Sequence, residues 1–492
     1  MQENKPKLTA PDVPHVLLII ADSLMPQPLF SLVQQGELPG FSYLQSHGFA
    51  TTLTSVFPTM SVVNDSSILT GTYPDEHRIP GLVWFNRVED RFVNYGDALG
   101  NIMRQGPLKV GKDAVFHLND QHLSEDVETV HEYLAKQNIP SASVNLMVHR
   151  GRFKHKLRFP FNCLLGNQDI SGPPFLQYGY FLKDGGRRFP MPFNKYGYGY
   201  DQVERMTLEL MRQSDAPRLL IAYLSEPDKV IHKKGPDIKR PLYDVDRFIQ
   251  HILDAFPSRK EALKNWKIIV MGDSGQAPML QDKRHALISL PNLLSSYTLR
   301  GMGPSPDDAD LAVATNERSA YLYPLYDHID PTRVAERVLM DDRIELVVYP
   351  ENNRTHVLTV QGRLHFEKGG NRADPYGQAW KVTGDPSLLD VQATDNKWEY
   401  GKYRDIFRQL QGAVHSQPAP VIAITAKSGY EFRFESSPTH VGGGSHGGIS
   451  EREMTVPLIV GGTERKPMYN RLVDIKPYLI DCLELGDVIS NP

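Results

Sequence analysis

The sequence predicts an α/β fold in which helices flank a doubly wound, mostly parallel sheet, with a β-rich subdomain inserted. Short, continuous apolar runs recur along the chain, and such runs are typical of buried parallel strands. Amphipathic stretches with helical spacing, at residues 200–212 and 243–255, separate some of these runs. Alternation of strands and helices favours a sheet that helices cover on both faces.

Composition and charge exclude several classes of protein. The chain has 492 residues, 40% of them apolar and 23% charged, and its length predicts about two to four domains or one large domain with insertions. Lys plus Arg number 54 and Asp plus Glu number 58, so the net charge is −4. That balance gives no surface for wrapping nucleic acid or docking on anionic lipid. The apolar runs are far shorter than the ~20 residues of a membrane helix, so we expect no membrane span.

Cysteine content and the first residues bear on the compartment. Cys163 and Cys482 are the two cysteines, too few for a disulfide framework or a thiolate metal cluster, although one disulfide between them stays open. Residues 1–13 are polar and lack the pattern of a secretory signal. We therefore expect a cytoplasmic protein, while a chain whose signal had been removed would look the same.

The predicted strands of the sheet follow in chain order. They cover residues 15–22, 142–147, 219–224, 267–271 and 456–460. The first ends in an acid, Asp22, and open α/β sheets bind ligands at the carboxyl ends of their strands. Candidate ligand and catalytic residues are therefore expected directly after each strand.

Two regions interrupt the alternation. Residues 150–200 are rich in Gly, Pro, aromatic and basic residues without a clear period, which predicts a long ordered loop, either a surface connection or a substrate lid. Short alternating strands at residues 343–349, 355–360 and 364–366 predict antiparallel hairpins. We accordingly divide the chain into a core of residues 14–275 and 440–485 and an inserted β-rich subdomain of residues 276–439.

The segment after residue 57 predicts a helix over residues 61–70 that ends at Gly71. Ser61 then lies at the helix N-terminus, where free amide protons and the helix dipole favour an anion. A metal could hold this serine as an alkoxide, and Asn64, one turn on, could donate its amide to a phosphoryl oxygen. Taken alone, the segment is better explained by a serine that caps a helix.

Other candidate ligands follow later strands. Asp228 and His232 are four residues apart, which places them on one face of a helical turn. Asp273 follows the strand at 267–271, and His446 lies in a glycine-rich loop. Together these side chains suffice for two cations bridged by a phosphate or a hydroxyl nucleophile; the full set is Asp22, Ser61, Asp228, His232, Asp273 and His446.

In this order the motifs resemble the alkaline phosphatase superfamily, and within it the type I phosphodiesterase/nucleotide pyrophosphatase family. The matching segments are Asp22, Pro58-Thr-Met-Ser61-Val-Val-Asn64, Thr70-Gly-Thr-Tyr-Pro-Asp-Glu-His77, Pro227-Asp228 to His232-Lys-Lys-Gly-Pro236, Asp273-Ser-Gly and Gly444-Ser-His446-Gly. The resemblance covers about residues 14–275 and 440–485. It implies an alkaline phosphatase-like fold and a metal-dependent hydrolase of phosphate esters.

The resemblance also implies roles for the matching residues. Ser61 corresponds to the nucleophile that forms a phospho-serine, and Asn64 to the partner of the phosphoryl oxygen. One divalent ion, Zn²⁺ or Mn²⁺, is expected on Asp228, His232 and His446. The other, Mn²⁺ or Mg²⁺, is expected on Asp22, Ser61 and Asp273. His77 is assigned to structure, and the partner is a small phosphate ester, with diesters slightly favoured over monoesters.

Two departures from the family pattern bear on the site. Ser274 stands where the family has a histidine ligand, so the second site becomes all oxygen and suits a harder ion than Zn²⁺. We expect this ion to be weaker, different or absent, with Gln276 as a substitute ligand. Asp65 stands where nucleotide pyrophosphatases usually have histidine, which argues against their nucleotide specificity.

Alternatives to a hydrolase stay open. Loss of the second ion would leave a degenerate family member that acts as a binding protein, and Ser274 is the residue that favours it. A phosphoryl or phospho-alcohol transferase would need an acceptor, which the 150–200 loop could hold. Its basic residues fit a phosphate clamp as well as a solvated surface, and base rates favour the surface; they are Arg150, Arg152, Lys154, Lys156, Arg187 and Arg188.

Overall fold

The computed structural model describes residues 15–179, 181–182, 199–304, 306 and 308–484. The strands are β1 His15–Ala21, β2 Gly48–Thr54, β3 Val83–Asn86, β4 Arg91–Asn94, β5 Ser141–Val144, β6 Phe153–Lys156, β7 Asp169–Gly172, β8 Phe175–Gln177, β9 Leu219–Leu224, β10 Trp266–Met271, β11 Ala277–Pro278, β12 Leu287–Ser289, β13 Leu299–Arg300, β14 Leu311–Asn316, β15 Ser319–Pro324, β16 Ile344–Glu351, β17 Arg354–Thr359, β18 Gly362–Ala373, β19 Ala379–Gly384, β20 Val391–Thr394, β21 Lys397–Tyr400, β22 Ile422–Ala426, β23 Glu431–Arg433, β24 Gly444–Ser445 and β25 Thr455–Gly461.

The helices are α1 Pro26–Gln34, α2 Pro39–Ser46, α3 Ser61–Thr70, α4 Pro74–His77, α5 Leu99–Gln105, α6 Pro107–Lys112, α7 Val130–Lys136, α8 Phe161–Leu165, α9 Tyr200–Met211, α10 Glu226–Lys234, α11 Arg240–Asp254, α12 Arg259–Asn265, α13 Lys283–Ala286, α14 Leu290–Leu293, α15 Pro331–Val338, α16 Ile406–Val414, α17 Glu451–Met454 and α18 Ile475–Cys482. A π-helix covers Asp113–His122, and 3₁₀ turns cover Pro386–Leu389 and Leu472–Asp474.

The central sheet has the strand order β2-β25-β10-β1-β9-β5-β8. Strand β1 lies at its centre and pairs in parallel with β9 and β10. Strand β25 pairs antiparallel with both β2 and β10, and is the reversed strand of this sheet within the described residues. The prediction of a mostly parallel sheet is therefore confirmed.

Helices cover both faces of this sheet because its central strands are apolar on both faces. In β1, Val16, Leu18 and Ile20 pack with apolar residues of α3 and α18. The alternate residues, Leu17 and Ile19, pack with those of α1, α2, α9 and α11. Every residue of β1 is buried, as expected of a strand covered on both sides. The doubly wound arrangement is thus confirmed.

A second, ten-stranded sheet occupies residues 299–426, within the predicted insertion. Its order is β13-β14-β15-β22-β16-β17-β18-β21-β20, with β19 paired to β18. One face packs on α16 and the other on α15. The β-rich character is confirmed, whereas the boundaries at residues 276 and 439 stay predictions.

The region 150–200 contains more regular structure than the predicted loop. It contains β6, β7, α8 and β8, and β8 extends the central sheet in parallel beside β5. The sequence did not predict these strands because each has only three or four residues and lies among aromatic and proline residues. Residues 183–198, with the expected basic pair Arg187 and Arg188, lie outside the described residues.

The first basic residue of this region is neither a clamp nor a solvated surface group. Arg150 is 8% exposed, forms an ion pair with Glu132 at 3.0 Å and donates to three backbone carbonyls. The side chains of Arg152, Lys154 and Lys156 are exposed.

Both cysteines are free, Cys163 on the surface and Cys482 in the core. None of the helices among the described residues combines the length and apolar composition needed to cross a bilayer.

Candidate metal centre and nucleophile

Three adjacent parallel strands bring the predicted acids to one edge of the central sheet. Asp22 follows β1, Asp273 follows β10 by two residues, and Asp228 lies in α10 directly after β9. Because carboxyl ends of parallel strands meet at one edge, residues more than 200 positions apart become neighbours. The predicted ligand site at this edge therefore depends on the parallel order of β10, β1 and β9.

Ser61 is the first residue of α3 and lies beside Asp22. Its hydroxyl donates to Asp22 Oδ1 at 3.2 Å, and the Tyr223 hydroxyl donates to Asp22 Oδ2 at 2.5 Å. Helix α3 ends at Gly71, whose φ of 73° is the left-handed conformation that glycine adopts without strain. The predicted helix bounds are confirmed.

Asp273 lies wholly buried beside the turn after β1. Its Oδ1 accepts the backbone amides of Ser23 at 3.1 Å and Ser274 at 2.8 Å. Ser23 has a φ of 60°, an uncommon conformation for a residue with a side chain, and it turns this amide toward the carboxylate. Burial raises the pKa of Asp273. Burial, together with the charges of Asp273 and Asp228, raises the pKa of Asp22 well above its usual range.

Several buried polar atoms near Ser61 have no hydrogen-bond partner among the described residues. They are both carboxylate oxygens of Asp65, Oδ2 of Asp273, Oγ of Ser274 and Nδ2 of Asn64. Burial raises the pKa of Asp65 well above its usual range, and the nearby charge of Asp273 raises it further. Buried carboxylates without partners are costly unless a cation or a proton compensates them. This oxygen-rich group therefore fits a hard divalent ion.

Asp228, His232 and His446 form a second group. His232 Nε2 lies 3.1 Å and His446 Nε2 lies 3.6 Å from Asp228 Oδ1. The second ring nitrogens contact backbone carbonyls, His232 Nδ1 that of Gly444 at 2.8 Å and His446 Nδ1 that of Thr59 at 2.5 Å. Such contacts fix the tautomer and leave Nε2 free for a metal, as is typical of histidine ligands.

Electrostatics in this second group also favour a cation. Burial alone would lower the pKa of His232, but the carboxylates of Asp228 and Glu317 raise it to about 10. The same histidines lower the pKa of Asp228 against the opposing effect of burial. Negative carboxylates thus attract positive charge here, which a divalent ion can supply in place of protons.

The structure adds residues that the sequence did not single out. Glu317, from the turn between β14 and β15, lies 3.7 Å from His232 Nε2 through its Oε1. His440 stacks on His232 with ring centroids 3.9 Å apart. Two signals were available in the sequence: an acid, Glu317, in the short turn between two apolar strands, and a histidine, His440, just before the glycine run. Neither resembles a ligand motif in isolation.

Gln276 contacts Asp228 through its amide nitrogen, and its role as a substitute ligand stays a prediction. Its Nε2 donates to Asp228 Oδ1 at 2.7 Å and to Ser23 Oγ at 3.0 Å. His77 is buried away from the ligand groups, with Nε2 3.1 Å from Ser67 Oγ and Nδ1 accepting the Ile79 amide at 3.1 Å. Its placement agrees with a structural role.

Comparison with known proteins gives the family. The model of the type I phosphodiesterase/nucleotide pyrophosphatase family matches residues 16–449, through the second sheet as well as the core. None of the curated proteins is a significant match to the chain.

Solved structures give the same fold at low identity. Murine ectonucleotide pyrophosphatase/phosphodiesterase 5 is 15% identical over 97% of each chain, with a TM-score of 0.58. The human protein of the same name is 14% identical over 97% of this chain and 96% of that chain, with a TM-score of 0.55. Phosphonoacetate hydrolase from Sinorhizobium meliloti, in complex with phosphonoacetate, is 15% identical over 97% of this chain and 100% of that chain, with a TM-score of 0.59. The chain therefore belongs to the type I phosphodiesterase/nucleotide pyrophosphatase family.

Proposed function

We propose that the protein is a metal-dependent hydrolase of phosphate esters that uses Ser61 as nucleophile. The observation that carries this proposal is the position of the Ser61 hydroxyl. It lies at the N-terminus of α3 and donates to Asp22, whose carboxylate interacts electrostatically with both Asp273 and Asp228. Family membership supports the same reaction class.

Two divalent ions fit these groups. Asp228, His232 and His446 would hold Zn²⁺ or Mn²⁺, and Asp22, Ser61 and Asp273 would hold Mn²⁺ or Mg²⁺. When bound, such ions neutralise phosphoryl oxygens and lower the pKa of a serine hydroxyl.

The chain's own residues account for the remaining steps. Ser61 Oγ attacks phosphorus in line with the leaving oxygen, the new P–O bond forms as the ester P–O bond breaks, and Asp22 is placed to accept the serine proton. The N-terminus of α3 favours the negative phosphoryl group. Asn64 Nδ2, a buried donor without a partner, is available to a phosphoryl oxygen. Water then hydrolyses the phospho-serine and restores Ser61.

The test is hydrolysis by metal-stripped protein of p-nitrophenyl phosphate, bis-p-nitrophenyl phosphate and phosphonoacetate. The third substrate is included because a structural neighbour is a phosphonoacetate hydrolase. Mn²⁺, Mg²⁺ or Zn²⁺ is added back, with Ser61→Ala as control. We expect metal-restored turnover, highest for the diester, that falls at least about 1,000-fold in Ser61→Ala, since loss of a nucleophile usually costs that much.

A degenerate binding protein is the second candidate, and Ser274 is the observation that favours it. The buried hydroxyl replaces an imidazole and leaves the second ion without nitrogen ligands. Absence of turnover with every metal and substrate, together with binding of inorganic phosphate, would support this candidate over the hydrolase.

A further inference from the structure

We propose that Glu317, which the second sheet contributes, is the fourth protein ligand of the ion held by Asp228, His232 and His446. This inference rests on the proposed metal site and assigns it a ligand from outside the motif-bearing segments. A separate aspartate–histidine group lies on the π-helix, at Asp113 and His117, but Arg91 already pairs with Asp113 at 2.8 Å there.

Both histidine Nε2 atoms of the proposed site lie near a carboxylate oxygen of Asp228 and one of Glu317. His232 Nε2 lies 3.1 Å from Asp228 Oδ1 and 3.7 Å from Glu317 Oε1. His446 Nε2 lies 3.6 Å from Asp228 Oδ1 and 3.8 Å from Glu317 Oε1. A tetrahedral ion with ligands at about 2.0–2.1 Å has ligand–ligand edges of roughly 3.4 Å. The observed separations are close to that value and need only a small contraction around an ion.

The two oxygens of Glu317 have different surroundings. Oε2 accepts from Ser445 Oγ at 2.9 Å and from the backbone amide of His446 at 3.2 Å. It also lies 3.5 Å from His440 Nδ1. Oε1 faces the Nε2 atoms of His232 and His446. One oxygen is therefore held by hydrogen bonds while the other is directed to the ion, as expected for a ligand oriented by outer-shell partners.

The turn that carries Glu317 is fixed to the metal-bearing loop. Arg318 donates its backbone amide to the His446 carbonyl at 3.0 Å, and its wholly buried guanidinium pairs with Glu453 at 2.9 Å. Glu317 itself has a φ of 55°, and its carbonyl accepts the Phe432 amide at 2.8 Å. Because Glu317 is only 8% exposed, contacts within the protein hold its carboxylate in position.

A fourth protein ligand changes how the ion works. A site of three protein ligands leaves one tetrahedral position open for substrate, whereas four close it. A substrate oxygen must then enter as a fifth ligand or displace Glu317. Because Glu317 belongs to the second sheet, retention of the ion would also depend on that sheet.

The experiment titrates metal-stripped protein with Co²⁺ and Zn²⁺, following heat by calorimetry and the visible spectrum of bound Co²⁺. For wild-type protein, the first equivalent of Co²⁺ should give the intense absorption of a four-coordinate ion. Glu317→Gln should bind at least about 100-fold more weakly, more than the 10- to 100-fold typical of an outer-shell partner. His440→Gln should fall within that smaller range.

Controls separate this inference from the proposed function. Glu345→Gln changes a part-buried glutamate of the same sheet that binds Tyr403, and should stay within about threefold of wild type. His232→Ala should abolish tight binding.

If wild type binds no ion tightly, the proposed metal site is wrong; if His232→Ala loses the ion but Glu317→Gln keeps it, only the role of Glu317 is wrong. A weak six-coordinate spectrum in wild type, or a larger loss in His440→Gln than in Glu317→Gln, would also overturn the assignment.

Discussion

A single residue, Ser274, decides the chemistry of the ion that we propose beside Ser61. Its hydroxyl is buried without a hydrogen-bond partner, next to Asp273. Every donor near that ion is then an oxygen, and Asp65 adds two more unpartnered oxygens in the neighbourhood. Oxygen ligands favour Mn²⁺ or Mg²⁺ over Zn²⁺.

Ser274→His should restore an imidazole and raise zinc affinity beside Ser61 by about tenfold or more. The larger side chain should cost roughly 1–3 kcal/mol of stability, because small-to-large changes overpack a core. Elemental analysis after zinc loading and desalting checks this: wild type should keep one zinc per chain, and the variant two. Ser274→Ala should resemble wild type, and two tightly held zinc ions in wild-type protein would contradict the interpretation.

Buried histidines away from the ions give a pH dependence. Burial lowers the pKa of His77 and of His131 to about 3. An unfolded chain has histidine pKa values near 6.5, so below that pH the unfolded state binds protons that the folded state does not. The free energy of unfolding should therefore fall as the pH falls from about 6.5 toward 3. At pH 5 each such histidine should cost about 2 kcal/mol.

Urea unfolding at pH 7 and pH 5 measures this effect. His131→Gln should reduce the loss of stability between the two pH values by about 2 kcal/mol, since glutamine does not titrate. His285→Gln, at an exposed histidine, should leave the difference unchanged. An equal loss in wild type and His131→Gln would show that His131 is not kept neutral by burial.

Sequence and structure agree at residues where one side chain has a strong local pattern. Asp22 and Asp273 end apolar runs, and Asp228 and His232 share a helical spacing, so each could be found separately. Glu317 could not, because a glutamate in a hairpin turn is ordinary. Its position depends on how β14 and β15 pack against the loop around His446.

At the scale of elements, the β14–β15 hairpin links the two sheets at the metal centre. Arg318 follows Glu317 in its turn, and its side chain is wholly buried. Beyond its ion pair with Glu453, Arg318 donates to the carbonyl of Ala426 at 3.0 Å. Glu453 in turn accepts the Gly448 amide at 2.8 Å, close to His446. One ion pair thus supports both the hairpin and the histidine loop.

Arg318→Met should lower the free energy of unfolding by about 3 kcal/mol or more, because it leaves a buried carboxylate without its cation. It should also weaken binding of the first Zn²⁺ ion, since the Glu317 turn loses its anchor. Chemical denaturation and zinc titration measure the two effects. Arg333→Met is the matched control, because the Arg333 side chain is 82% exposed and its pair with Asp330 should contribute less than about 1 kcal/mol. A similar small effect in both variants would mean that the buried pair does not anchor the hairpin.

Some predicted helices and strands have the observed bounds, whereas the predicted end of β5 is wrong. Helix α3 and strand β9 have the predicted bounds. Strand β5 ends at Val144, three residues earlier than predicted, because Asn145 adopts a φ of 63° and leaves the strand. Apolar character alone does not show where a backbone turns.

At the scale of the whole molecule, the second sheet also supports the segment before the nucleophile. Gln409 of α16 accepts the Phe57 amide at 2.9 Å and donates to the Ser55 carbonyl at 2.9 Å. The neighbouring Arg408 pairs with Asp75 at 2.7 Å. The Gln409 contacts fix the strand-to-helix connection that leads to Ser61, and the Arg408 pair holds α4, which follows α3. The sequence predicted the second sheet but gave no local signal for this support, which arises between residues more than 300 positions apart.

Because these contacts join the two sheets, we expect them to unfold together and metal to protect both. At a free ion concentration 100-fold above the dissociation constant, binding adds about 2.7 kcal/mol, which corresponds to a rise of roughly 2–3 °C in Tm for a chain of this size. Calorimetry with and without Zn²⁺ should show one transition that shifts as a whole. Hydrogen exchange should show added protection in β9 and α10 and also in β14 and β15. Zinc-dependent protection confined to the central sheet, or two separate transitions of which only one moves, would show that the second sheet is energetically independent of the ion.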